Sequence, residues 1–133
     1  MEQLSVVVID DDPIAQLICK KIIHNCDHNC MVTAFLNPQL AVEYLNLHQA
    51  NRAQLPDIIL LDINMPQLDG FQVLDRMGLM QFKKQIYILM LTSSVSESDR
   101  TKATQYSLLS GFESKPFTKE KFKMVREEVL KIR

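Results

Sequence analysis

The chain has 133 residues, 47% hydrophobic, 23% charged and 7% aromatic, proportions that predict one soluble domain over residues 1–133 and no separate output domain. The apolar stretch Leu4–Ile9 is far too short to span a bilayer and runs into acidic residues, so neither a membrane anchor nor a secretory leader is expected. The formal net charge of −1 argues against generic nucleic-acid binding, yet residues 1–99 hold 12 acidic and 6 basic side chains while residues 100–133 hold 4 and 9.

Apolar β-branched runs alternate with helical patterns along the whole chain, the signature of an α/β domain in which repeated βα units close a parallel sheet. The first predicted strand is Leu4–Ile9. Asp12-Pro13 then marks a helix start, a capping side chain followed by a residue whose fixed φ suits the first helical position, and Ile14, Leu17, Ile18 and Ile22 form the apolar stripe of that helix. Beyond it, His24, Cys26, His28 and Cys30 invite a zinc reading. Their alternation scatters the side chains over different helix faces, and the simpler expectation is a turn flanked by the two cysteines with solvated histidines. An odd count of three cysteines makes no disulfide framework and predicts a reduced, cytoplasmic protein.

Met31–Phe35 is the second predicted strand, and Asn37-Pro38 opens the second helix. Ile58–Leu61 and Ile86–Leu91 are nearly continuous apolar runs, as expected of strands covered by helices on both faces. Ser96 followed by Asp99 resembles a capping box. It opens a helix over Glu97–Gln105 in which Ala103 is the only clearly apolar residue, so this element is expected to be the most loosely held. Gly111–Ser114 is the fifth strand; Thr118 opens the last helix, with Phe122, Val125, Val129 and Ile132 on one face. Met77, Met80 and Met90 read as core filler, Tyr87 and Tyr106 as packing residues, and Lys119, Lys121, Lys123 and Lys131 as a solvated face.

Ligands of an open parallel sheet bind at the carboxyl ends of its strands, where this sequence offers Asp10, Asp11 and Asp12, then Asp62, Thr92, and Lys115-Pro116. Gathering Asp10, Asp11 and Asp62 in one pocket opposes their ionisation, so a cation is needed there. With only oxygen ligands on offer and no His or Cys at these ends, a hard divalent ion is favoured, Mg²⁺ above others. A carboxylate beside Mg²⁺, a lysine and a hydroxyl can accept a phosphoryl group. Asp12, directly before Pro13, reads as an N-cap and not a ligand.

The runs VVVIDDDP (6–13), IILLDINMPQLDG (58–70), ILMLTSS (88–94) and ESKPF (113–117) make the whole chain resemble a receiver domain of the two-component response regulators, of the stand-alone type. The resemblance implies a doubly wound, flavodoxin-like (βα)5 fold with strand order 2-1-3-4-5. It implies that Asp62 is the phosphoacceptor and that Asp10 and Asp11 hold Mg²⁺ with Asp62 and the Asn64 backbone carbonyl. Thr92 matches the switch hydroxyl, Lys115 the lysine that pairs with the phosphoryl group, and Phe112 the switch aromatic, here without a tyrosine's hydroxyl. Lys115-Pro116 is expected to be cis, and Asn64 and Ser94 to influence phosphoryl lifetime. The implied partners are a sensor histidine kinase or histidine phosphotransfer protein, with output to a protein partner through the helix four, strand five and helix five face, or onward phosphotransfer. The chain is then no enzyme beyond its own phosphorylation and dephosphorylation. Two other readings stand beside it: a Mg²⁺-dependent aspartyl-phosphate phosphatase, which would usually carry an acid where Asn64 stands, and a phosphorylation-independent binding module.

Overall fold

The computed structural model describes residues 3–93 and 96–132. Five parallel strands, β1 (Ser5–Ile9), β2 (Met31–Phe35), β3 (Ile58–Asp62), β4 (Tyr87–Thr92) and β5 (Gly111–Ser114), lie in the order β2-β1-β3-β4-β5. Between and after them run α1 (Pro13–Cys26), α2 (Pro38–Leu47), α3 (Gly70–Met77), α4 (Glu97–Ala103) and α5 (Lys119–Lys131). This is the expected doubly wound, flavodoxin-like architecture.

Alternation along the strands splits the core in two. Val6, Val8, Ile58, Leu60, Leu89 and Leu91 face α1 and α5, where Cys19, Ile23, Phe122, Val125 and Val129 meet them. Val7, Ile9, Ile59, Leu61, Ile88 and Met90 face the other way, onto Ala41, Val42, Leu45, Val73, Leu74, Met77 and Ala103 of α2, α3 and α4. β3 is buried along its whole length, as the unbroken apolar run required. Below the sheet, the buried Asp57 accepts from the Ser5 N–H at 2.8 Å and pairs with Lys84 Nζ at 2.9 Å.

Helix starts follow the predicted caps. Asp12 Oδ1 accepts from the Ile14 N–H, Asn37 Oδ1 from Gln39, Ser96 Oγ from Asp99 and Thr118 Oγ1 from Lys121, at 2.9 to 3.2 Å. A full reciprocal capping box occurs instead at α3, between Asp69 and Gln72.

Five expectations are corrected. Ile14, Leu17 and Ile18 do not face the sheet: they are 68%, 56% and 48% exposed, and Gln16, Cys19 and Ile23 are the buried residues of α1. Two stripes, one through 14, 17 and 18 and one through 16, 19 and 23, are compatible with helical spacing, and the tertiary approach of the helix to β1 selects the second. α4 ends at Ala103, not Gln105, because the Thr104, Gln105 and Tyr106 N–H groups tighten onto carbonyls three residues back. Ile132 lies at the exposed end of α5. His24 is half-buried with Nε2 3.0 Å from the Cys30 carbonyl, so of these two histidines His28 alone is exposed. Strand ends differ by single residues: Leu4 and Ile86 precede β1 and β4, while Asp62 and Thr92 complete β3 and β4.

Candidate functional site

Asp10 follows β1 and Asp62 ends β3, and each continues the row of side chains that faces α1 and α5. Neighbouring parallel strands therefore deliver two carboxylates side by side at the carboxyl edge of the sheet. Asp10 is 4% and Asp62 7% exposed. With the half-buried Asp11 they offer three carboxylate oxygens within 4.8 Å of one another, the grouping among the described residues that could hold a metal ion. His24, Cys26, His28 and Cys30 are not part of any such grouping among the described residues.

Lys115 is delivered from the far side of the sheet by the turn after β5. Its Nζ lies 2.9 Å from Asp10 Oδ2 and 3.4 Å from Asp62 Oδ1. The Lys115-Pro116 bond is cis, and the Lys115 N–H donates to the Thr92 carbonyl at 2.8 Å, tying this turn to the end of β4. Lys121 of α5 donates to the Ser114 and Pro116 carbonyls on either side of Lys115, so one basic residue of the last helix is internally engaged.

The electrostatics follow from crowding. Burial first, then the Asp10 charge, push the Asp62 carboxyl above the usual carboxylate range; the Lys115 charge and hydrogen bond pull it back, and Asp11 adds a further upward push. Burial pulls the Lys115 ammonium down, but the hydrogen bond and charge of Asp10, with Asp62 behind them, outweigh it and leave its pKa raised. Three acids answered by one lysine leave the pocket anionic, and its all-oxygen donor set fits a hard divalent cation.

Thr92 is fully buried at the end of β4, opposite Ser114. Phe112 stands opposite Met90 on the face turned to α4, the face that Thr92 shares by alternation. The Arg100 guanidinium of α4 lies over the Phe112 ring at 5.5 Å, a cation–π contact that sequence reasoning had no signal for. Asn64 is exposed in the β3–α3 turn, two residues past Asp62. Asp12 lies at the rim as the cap of α1. Ser94 lies outside the described residues.

Gly70 is another residue that sequence reasoning left without a role. Its N–H donates to the Ile63 carbonyl at 2.7 Å, and a Cβ there would lie 2.6 Å from the Asp62 carbonyl oxygen and 3.0 Å from Ile63 Cα. The chain turns back against the end of β3 so closely that a side chain has no room. The Asp-Gly pair inside LLDINMPQLDG was the available signal.

Over residues 6–126 the sequence matches the family model of the response regulator receiver domain. The chain belongs to that family. A solved two-component response regulator of Cytophaga hutchinsonii shares the receiver fold with a TM-score of 0.85 at 29% identity, covering 98% of this chain and 99% of that one. The chemotaxis protein CheY4 of Vibrio cholerae superposes with a TM-score of 0.75 at 22% identity, covering 96% and 99%, a likeness of fold. Among curated relatives, the probable methanogenesis regulatory protein FilR2 of Methanothrix harundinacea is 32% identical over 89 residues, 67% of this chain and 57% of that protein. The two-component response regulator ARR11 of Arabidopsis thaliana is 29% identical over 128 residues, 96% of this receiver domain but 23% of ARR11. The chain thus spans little more than half of FilR2 and about a quarter of ARR11. Receiver domains are signalling modules of two-component systems that typically bind Mg²⁺ at an acidic pocket.

Proposed function

We propose that this receiver domain accepts a phosphoryl group on Asp62 from a phosphohistidine, in a Mg²⁺-dependent reaction, and relays the event to a protein partner or to a further phosphotransfer step. The observation that carries the reading is the convergence of carboxylate oxygens of Asp10, Asp11 and Asp62 within 4.8 Å, with Lys115 bridging Asp10 and Asp62.

In this reading Asp10, Asp11, Asp62 and the Asn64 backbone carbonyl hold the ion. When bound, Mg²⁺ supplies positive charge that offsets the carboxylates and the phosphoryl oxygens. An Asp62 carboxylate oxygen attacks phosphorus, an O–P bond forms, the donor's P–N bond breaks, and its electron pair stays with the departing imidazole. The Lys115 ammonium neutralises charge on the transferred group. The Thr92 hydroxyl turns inward to donate to a phosphoryl oxygen, and Phe112 takes the space it leaves, carrying α4 with it through Arg100. The chain catalyses only its own phosphorylation and dephosphorylation.

A protein donor must bring its imidazole to Asp62 and so must cover the rim of the pocket. α1 starts at that rim, and the exposed Ile14, Leu17 and Ile18 on its first turns are the apolar surface a donor of helical type would bury. Output is assigned to the face of α4, β5 and α5, with no direct role for nucleic acid or membrane. The three free cysteines fit a reducing cytoplasm.

The test is incubation with Mg²⁺ and a small phosphodonor, followed by intact mass. One added phosphoryl group that requires Mg²⁺ and is lost in Asp62→Ala supports the reading; rapid turnover of free phosphoesters supports a phosphatase, and no adduct despite Mg²⁺ binding overturns it.

A further inference from the structure

Gln16 is the buried polar residue of α1, 7% exposed on the face that meets the sheet. Its Nε2 lies 2.9 Å from the Val8 carbonyl oxygen, 3.1 Å from that of Asp10 and 3.0 Å from that of Phe35. An amide nitrogen has two protons for these three acceptors, so one is shared, and the convergence of carbonyls decides which end of the amide points here. The side-chain oxygen is buried with no hydrogen-bond partner.

Of the three carbonyls, that of Asp10 matters most. The β1–β2 register ends at Ile9 and Phe35; the Asp10 N–H still donates back to the Phe35 carbonyl at 3.1 Å, but the Asp10 carbonyl lies beyond the ladder and takes its donor from Gln16. It belongs to the peptide plane that joins Asp10 to Asp11. Holding it fixes how the chain enters Asp11.

The two acids are otherwise held very differently. Asp10 is restrained through its own carboxylate, by the Asp12 N–H on Oδ1 at 3.0 Å and by Lys115 on Oδ2 at 2.9 Å. No hydrogen bond among the described residues restrains the Asp11 carboxylate, so its direction is set by its backbone. We propose that Gln16 is a positioning residue for the metal-binding acids: by clamping the Asp10–Asp11 peptide it aims Asp11 into the pocket. Gln16 touches neither the ion nor the phosphoryl group. The proposal rests on the reading of Asp10, Asp11 and Asp62 as the Mg²⁺ site, and it adds to that reading the residue on which the geometry of Asp11 depends.

Gln16→Met keeps the length of the side chain and removes both donors. Mg²⁺ is titrated calorimetrically into the full chain as wild type, Gln16→Met, Asp11→Ala and the double variant, with circular dichroism establishing the folded fraction of each. The expected result is a loss of Mg²⁺ affinity of about tenfold or more in folded Gln16→Met. In the double variant, little further loss is expected beyond Asp11→Ala alone, because the two residues act as one unit. A merely structural Gln16 would lower the melting temperature without that coupling. Affinity within about twofold of wild type in folded Gln16→Met, or losses that add in the double variant, would overturn the proposal. Absence of Mg²⁺ binding in the wild type would overturn the metal reading beneath it, a different and separately visible result. If Gln16→Met does not fold, Gln16→Asn, which withdraws the donor by one methylene, carries the same comparison.

Discussion

The Lys115 ammonium sits 2.9 Å from Asp10 Oδ2 and reaches on to Asp62 Oδ1 at 3.4 Å. One cation from the turn after β5 thus answers acids from two other strands, and it occupies oxygens that a bound metal would also use. Lys115→Met separates these two relations. Mg²⁺ affinity should hold or rise, since a competing positive charge is gone, while the rate of Asp62 phosphorylation by a small phosphodonor should fall on the order of 100-fold for want of a charge on the transferred group. Parallel loss of both would reduce Lys115 to a scaffold residue. Calorimetric Mg²⁺ titration and time-resolved intact mass measure the two quantities.

Gly70 gives a second prediction, one of stability. A methyl group at this position would meet the Asp62 carbonyl oxygen at 2.6 Å and the Ile63 Cα at 3.0 Å, and both are backbone atoms that cannot rotate away. Gly70→Ala should therefore lower the free energy of unfolding by about 1–3 kcal/mol, read from urea denaturation. By contrast, Gly78→Ala meets nothing closer than 3.4 Å and serves as the control. Equal effects at the two sites would remove the close approach as the cause.

The exposed residues on the first turns of α1 yield a third. Replacing Ile14 and Leu17 by lysine alters side chains that are mostly exposed, so stability should change by about 0.5 kcal/mol or less. Phosphorylation by a small donor should be unaffected. Transfer from a phosphohistidine-bearing protein should slow about tenfold or more, since charged side chains at the rim interrupt an apolar contact. Radiolabelled transfer assays with the two kinds of donor make the comparison, and equal rates from the protein donor would assign its docking to another face.

Thiol chemistry provides a fourth. Burial first, then the charges of Asp27 and Asp57, push the Cys30 thiol from its ordinary 9.0 up to about 12, with Arg126 opposing; burial first, then Asp10, takes Cys19 to about 11. Because the folded chain holds these protons more tightly than the unfolded one, their contribution is constant below pH 9 and stability falls as pH rises from there. At pH 8 iodoacetamide should label the half-buried Cys26 in the native protein, while Cys19 and Cys30 react only after unfolding. Peptide mapping after timed labelling measures the order; early reaction at Cys30 would contradict the burial argument.

Much of this molecule is written in short-range patterns. Asp12, Asn37, Ser96 and Thr118 cap their helices because a cap needs only its own side chain and an N–H two or three residues on. Runs such as Ile58–Leu61 declare buried strands by composition alone, and the acids and lysine that meet at the sheet edge were legible because parallel topology sends every strand's carboxyl end to one side. What the sequence could not decide were matters of orientation and approach. The α1 sequence contains two overlapping stripes, and only contact with the sheet turns Gln16, Cys19 and Ile23 inward and leaves Ile14, Leu17 and Ile18 outside. The tight passage of Gly70 against β3, the three carbonyls around Gln16, and Arg100 over Phe112 each join segments distant in sequence or pressed together by packing. Helical periodicity states that a face exists, whereas its direction is a property of the neighbours it meets.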